Sequence, residues 1–129
     1  MRIEHVALWT TRLEEMKRFY SLYFGAVCGE NYRNPAKAFE SCFLRFGTGA
    51  RLELMQSPAV AVPAVPEGAL PQGLVHLAFA VGSREAVHQT TEALRDAGYA
   101  VVGEPRLTGD GYYESVVLDP DGNRLEITL

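Results

Sequence analysis

The sequence predicts an α+β fold made of two βαβββ modules, and three observations lead there. The chain ends on a hairpin, residues 114–129 (ESVVLDPDGNRLEITL), and an echo of it occupies residues 40–55 (ESCFLRFGTGARLELM). Each has a glycine-containing turn that leads into Arg-Leu-Glu. Ahead of each hairpin lies a strand-like segment with one histidine, residues 3–8 and 74–79. Between histidine strand and hairpin, each half carries apolar residues at helical spacing. Repetition of this kind marks one supersecondary unit written twice.

The elements follow in order. Residues 3–9 form the first strand, with Val6 and Leu8 on one face and Ile3, His5, Ala7 and Trp9 on the other. Thr10 or Thr11 caps the helix that follows, because a side-chain oxygen there accepts from an otherwise unpaired amide. Leu13, Met16, Tyr20 and Tyr23 give that helix its apolar stripe, and Gly25 stops it. A short strand near 26–30, a polar loop over 31–37, and strands at about 39–46 and 51–55 complete module 1, residues 1–55. Residues 56–73 carry Pro58, Pro63, Pro66 and Pro71, which block helix and interior strand alike. That segment reads as an inter-module linker first, and as a flap over a site second.

Module 2, residues 74–129, repeats the plan. Residues 74–81 are a strand, and Ser83 caps a helix that runs to about residue 97. Val87, Thr91, Leu94 and Ala97 make its buried stripe, and Gly98 ends it. A strand near 99–103 and a loop over 104–111 lead to the closing hairpin. There the turn Asp119-Pro120-Asp121-Gly122 sets the backbone through its Pro and Gly.

Composition limits what the chain does. At 129 residues it is a single domain's worth, and 47% hydrophobic residues suffice for a core. A net charge of −4 without a basic stripe argues against nucleic acid as a partner. No apolar run is long enough for a bilayer span, and no signal peptide is expected at the N-terminus. Cys28 and Cys42 lack metal or redox spacing and read as reduced thiols, so a cytoplasmic protein is expected.

The candidate chemistry lies in four residues. Val75, Leu77, Phe79 and Val81 form a bulky face suited to a helix, whereas Leu74, His76, Ala78 and Ala80 form a face that leaves room. His5 stands beside Ala7 in the same way. With the helices on the leucine faces, His5, Glu53, His76 and Glu126 fall on the opposite, concave face. Burying a carboxylate costs several kcal/mol unless it is paired or coordinated. A divalent metal supplies the opposite charge and accepts both imidazole nitrogen and carboxylate oxygen, and a His₂Glu₂ set suits Zn²⁺, Ni²⁺, Co²⁺, Fe²⁺ or Mn²⁺. Salt bridges to Arg51 and Arg124, two positions before each glutamate, are the competing use of these carboxylates. His88 has no counterpart in module 1 and is expected at the surface.

These residues also carry a resemblance. An early histidine strand, a helix with Phe19-Tyr20 ending at Phe24-Gly25, the strand Val75-His76-Leu77-Ala78-Phe79, and the closing Asp119-Pro120-Asp121-Gly122-Asn123-Arg124-Leu125-Glu126-Ile127 resemble the vicinal oxygen chelate superfamily. This is the glyoxalase, bleomycin-resistance and extradiol-dioxygenase group. The resemblance implies paired βαβββ modules forming curved sheets around a metal-binding cavity. A His, Glu, His, Glu metal set looks like glyoxalase I (lactoylglutathione lyase). Extradiol dioxygenases and fosfomycin-modifying enzymes lack the first glutamate, epimerases tend to have Gln there, and bleomycin-binding members lack the metal set.

The resemblance therefore implies a metalloenzyme, with Zn or Ni first among its metals. It would act on a small 2-oxoaldehyde–thiol adduct by proton abstraction through a metal-bound enediolate. Glu126 is implied as the base, with Glu53 as its near-symmetric partner. Trp9 and, in the loop that ends at Tyr113, Arg106, Tyr112 and Tyr113 are candidate substrate contacts, and a homodimer is the expected assembly. The alternatives are a non-catalytic drug- or metabolite-binding protein of the bleomycin-resistance type, or a related epimerase, thiol transferase or dioxygenase.

Overall fold

The computed structural model describes residues 1–62, 64–66, 68–70 and 72–129. The chain divides into two compact units, Met1–Leu70 and Pro71–Leu129. Pro63, Glu67 and Pro71, which belong to the segment expected as a linker, lie outside the described residues.

The first unit begins with strand β1 (His5–Trp9) and helix α1 (Leu13–Phe24), followed by the short strands β2 (Val27–Cys28) and β3 (Tyr32–Asn34). One turn of 3₁₀ helix (Pro35–Lys37) then leads to the hairpin of β4 (Phe39–Arg45) and β5 (Arg51–Gln56). The sheet order is β1-β5-β4-β2, with β3 also on β4. β1 and β5 are parallel, and the other pairs are antiparallel. Leu13, Met16, Phe19 and Tyr20 of α1 and Leu52 and Leu54 of β5 are buried together on the helix side of the sheet.

The start of α1 differs from expectation. Neither threonine caps it: Thr10 Oγ1 accepts from the Arg12 N–H at 3.0 Å, outside the helix. The free amide of Leu13 instead donates to Gln56 Oε1 at 2.9 Å, a side chain from the last residue of β5. Gly25 ends the helix in the left-handed conformation at φ 64°. The loop expected over 31–37 is structured, because β3 pairs with β4 and Asn34 Oδ1 accepts from the Lys37 N–H at 3.3 Å.

The second unit holds β6 (His76–Ala80), α2 (Arg84–Asp96), β7 (Val101–Leu107), β8 (Tyr113–Leu118) and β9 (Arg124–Thr128). Its sheet order is β6-β9-β8-β7, with β6 and β9 parallel. Ser83 Oγ caps α2 by accepting from the Ala86 N–H at 3.0 Å. Val87, Thr91 and Leu94 are buried, whereas Ala97 lies past the last turn and is exposed. Thr91 is satisfied in the core: its hydroxyl donates to the Val87 carbonyl at 2.6 Å and meets Ser115 Oγ at 2.7 Å. β7 runs four residues beyond the expected strand end and passes through Pro105. It is an edge strand with irregular register between Val101, Gly103 and Arg106, which is where a strand tolerates proline. In the closing turn, Asp119 Oδ1 accepts from the amides of Asp121 (3.0 Å) and Asn123 (2.8 Å).

One expectation is corrected. The chain is α+β with two mixed sheets and two helices, but the sheets do not curve around a metal-binding cavity. Each sheet is open, ending on β1 and β2 in one unit and on β6 and β7 in the other. Among the described residues no group of three or more His, Cys, Asp or Glu side chains is placed to hold a metal ion. The histidines stand on exposed sheet faces beside small alanines, so these side chains open the face to solvent. Among the described residues no helix is long and apolar enough to cross a membrane.

Candidate functional site

The two units present the same constellation in the same register. On the parallel pair β1/β5, His5 is opposite Arg51 and Ala7 is opposite Glu53. On β6/β9, His76 is opposite Arg124 and Ala78 is opposite Glu126. In each case the glutamate faces the alanine two residues beyond the histidine. A methyl group at that position leaves the carboxylate space to reach back toward the imidazole. The residues on either side of each glutamate, Leu52 and Leu54 in β5 and Leu125 and Ile127 in β9, are buried on the helix side, so alternation alone puts the glutamates on the open face.

His5 Nε2 lies 3.9 Å from Glu53 Oε2, and His76 Nδ1 lies 3.1 Å from Glu126 Oε1. The imidazoles are about two-fifths exposed, while the Glu53 and Glu126 side chains retain only 16% and 20% exposure. The structure thus gathers the four expected ligands in twos, one His–Glu pair per unit.

The first pair is held by its neighbours. His5 Nδ1 is 2.5 Å from Glu4 Oε2, and the hydrogen bond from His5 is the main cause holding the Glu4 carboxyl below its ordinary pKa. A carboxylate only accepts, so Nδ1 donates to Glu4, and Nε2 is the ring nitrogen that faces Glu53. Arg51 does not take Glu53: its guanidinium pairs with Glu4 Oε1 at 2.5 Å and lies over the Phe43 ring at 4.0 Å. His5 meets the same ring edge-on at 5.4 Å. Arg51 therefore supports the histidine through Glu4.

A third carboxylate shares the open face of the second sheet. Glu114 is opposite Thr128 on β8/β9 and buried, and Arg106 Nη2 stands 3.7 Å from its Oε1. Burial raises its pKa, the charge of Glu126 raises it further, and Arg106 partly offsets both. A carboxyl whose folded pKa exceeds its unfolded value binds more protons when folded. Stability contributed at this position therefore falls as pH rises from the ordinary value of 4.5 through the raised one. Glu114→Gln should flatten that part of the profile, read as the urea midpoint against pH. Alternation within residues 114–118 was the signal available for this residue, masked by the valines beside it.

The other candidate contacts are dispersed. Tyr113 begins β8 on the helix side of the sheet, with its hydroxyl 2.6 Å from His88 Nε2 and the Arg84 guanidinium 4.6 Å over its ring. Tyr112 is exposed in the turn before β8, where its amide donates to Thr108 Oγ1 at 3.1 Å. Arg106 lies in β7, and its Nη1 would sit 3.1 Å from a Cβ built on Gly103. Trp9 is exposed at the end of β1, edge-on to Phe39 with ring centroids 6.1 Å apart. Cys28 and Cys42 are both free, and burial pushes the Cys42 thiol up to about 12.

Comparison with known proteins places this geometry among relatives. The family model for the Glyoxalase/Bleomycin resistance protein/Dioxygenase superfamily matches residues 2–127. No curated protein matches the chain. A glyoxalase family protein from Enterococcus faecalis is 30% identical with a TM-score of 0.78, over 99% of this chain and 97% of that one. Glyoxalase I from Zea mays is 22% identical with a TM-score of 0.78, over 98% of this chain and 44% of its own. The trypanothione-dependent glyoxalase I of Leishmania major is 21% identical with a TM-score of 0.77, over 99% of this chain and 86% of its own. The last two share the fold, and the chain spans less than half the length of the Zea mays enzyme.

Proposed function

Because the chain belongs to the Glyoxalase/Bleomycin resistance protein/Dioxygenase superfamily, we propose that it is a metal-assisted lyase or isomerase acting on a small 2-oxoaldehyde–thiol adduct. The metal ligands in this reading are His5, Glu53, His76 and Glu126. The observation that carries this reading is the identical register of the two His–Glu pairs. Two unrelated surface pairs have no reason to repeat the same alanine, the same diagonal and the same strand direction.

The donors present fit a divalent ion. Imidazole nitrogen with carboxylate oxygen suits Zn or Ni first, and Co, Mn or Fe next. With Nδ1 of His5 engaged by Glu4, Nε2 is the nitrogen that such an ion would take. When bound, the metal supplies positive charge that polarises the oxygens of the adduct. The chain's own carboxylates do the rest. Glu126 takes the proton from the carbon beside the carbonyl and returns it to the neighbouring carbon, and Glu53 is its near-symmetric partner. The working form is a homodimer.

The test is elemental analysis of the untagged protein beside Glu53→Ala and Glu126→Ala. About one metal per chain, lost in both variants, is the expected result. It should come with turnover of methylglyoxal in the presence of a thiol and with twice the chain mass in light scattering. No metal after incubation with nickel, zinc, cobalt and manganese would overturn the reading.

A further inference from the structure

The first unit contains a groove that the proposed reaction does not use. It is an open groove of about 640 Å³ lined by Asn34, Pro35, Phe39, Gln56, Ser57 and Val60 among others. A second cavity of about 310 Å³ shares Ser57 and Val60 and adds Trp9. The common wall is a hydrogen-bonded turn: the Val60 amide donates to the Ser57 carbonyl at 3.0 Å, and the Ala59 amide to Ser57 Oγ at 3.4 Å. This part of the proline-rich segment is thus an ordered edge of a hollow. The larger volume falls in the range of about 300–1,000 Å³ typical of small-molecule sites.

Three features define what the groove takes. Phe39 offers a ring to it, and Trp9 backs that ring edge-on while remaining half exposed. Such aromatic pairs favour a further ring in stacked or edge contact. The two charged side chains that line the groove, Arg33 and Glu40, pair with each other at 2.9 Å, so the groove calls for no charge on its occupant. Gln56 supplies the directional group. Its Oε1 is spent on the Leu13 amide, which fixes the side-chain amide in one orientation. Nε2, which has no hydrogen-bond partner among the described residues, is left to donate to a ligand oxygen.

We propose that this groove binds a small uncharged aromatic carbonyl compound, with its ring against Phe39 and its oxygen on Gln56 Nε2. Neither metal nor turnover enters this proposal, so the lyase reading stands or falls separately.

The chain has a single tryptophan, so Trp9 gives one indole N–H signal in an amide-correlation NMR spectrum. Three probes separate the features: acetophenone, ethylbenzene without the carbonyl, and cyclohexyl methyl ketone without the ring. Acetophenone should shift the Trp9 indole and the Gln56 side-chain amide, and the other two should bind at least about tenfold more weakly. Gln56→Glu keeps an oxygen for the Leu13 amide but removes the donor. It should lose about tenfold for acetophenone and nothing for ethylbenzene. Phe39→Leu keeps apolar bulk and should erase the preference for acetophenone over the cyclohexyl ketone. Equal binding of the three probes, no Trp9 shift up to the solubility of acetophenone, or unchanged acetophenone affinity in both variants would overturn the proposal.

Discussion

Glu126→Gln should lower turnover of the methylglyoxal–thiol adduct by about 10²–10⁴-fold, the usual worth of a positioned general base. The substitution keeps the size of the side chain and removes its ability to carry a proton. Glu126 stands opposite Ala78 on one side and Val116 on the other, and its backbone pairing does not depend on the side chain. The fold should therefore survive, as far-UV circular dichroism on the same sample can verify. Initial rates have to be read alongside metal content, because this residue is also a proposed ligand. Loss of rate with metal retained assigns the proton transfer to Glu126. Full activity would sink that assignment.

Phe19→Ala should destabilise the first unit by about 3–5 kcal/mol, the largest stability effect expected in the chain. Phe19 is fully buried and sits in an aromatic cluster, with ring centroids 5.2 Å from Tyr20, 5.6 Å from Tyr23 and 5.6 Å from Phe24. Truncation removes a ring from among other rings that cannot collapse onto the space without leaving their own rotamers. Leu22→Ala on the same helix is the control, because Leu22 is 74% exposed and should change stability by no more than about 0.5 kcal/mol. Urea titration of the two variants reads the difference directly. A Phe19→Ala midpoint close to that of Leu22→Ala would mean that the cluster relaxes freely.

What could be read from the sequence was what is written locally or twice. The register of His5 and Glu53 recurs in His76 and Glu126, so alternation along each strand sufficed to put each pair on one face. Ser83 was legible as a cap because the amide it serves is three residues away. Gln56 was not, because the amide it serves is 43 residues away and nothing near Leu13 signals it. The extension of β7 was hidden by Pro105, whose usual meaning is a break, and only an edge position makes it harmless. The metal-binding cavity was an expectation about how whole sheets bend, and alternation within a strand does not determine that.

The parallel pairing of each unit's first strand with its last has a consequence for synthesis. β5 lies between β1 and β4, and β9 lies between β6 and β8, so the strand made last is central to its sheet. Until residue 56 has left the ribosome, β1 has no partner and the first amide of α1 has no acceptor. Each half therefore waits with an incomplete sheet and closes from its C-terminal end, bringing together strands that lie far apart along the chain. Such late, non-local closure is slow. A nascent chain halted before residue 51 should remain open to protease, whereas one released past residue 70 should already resist it.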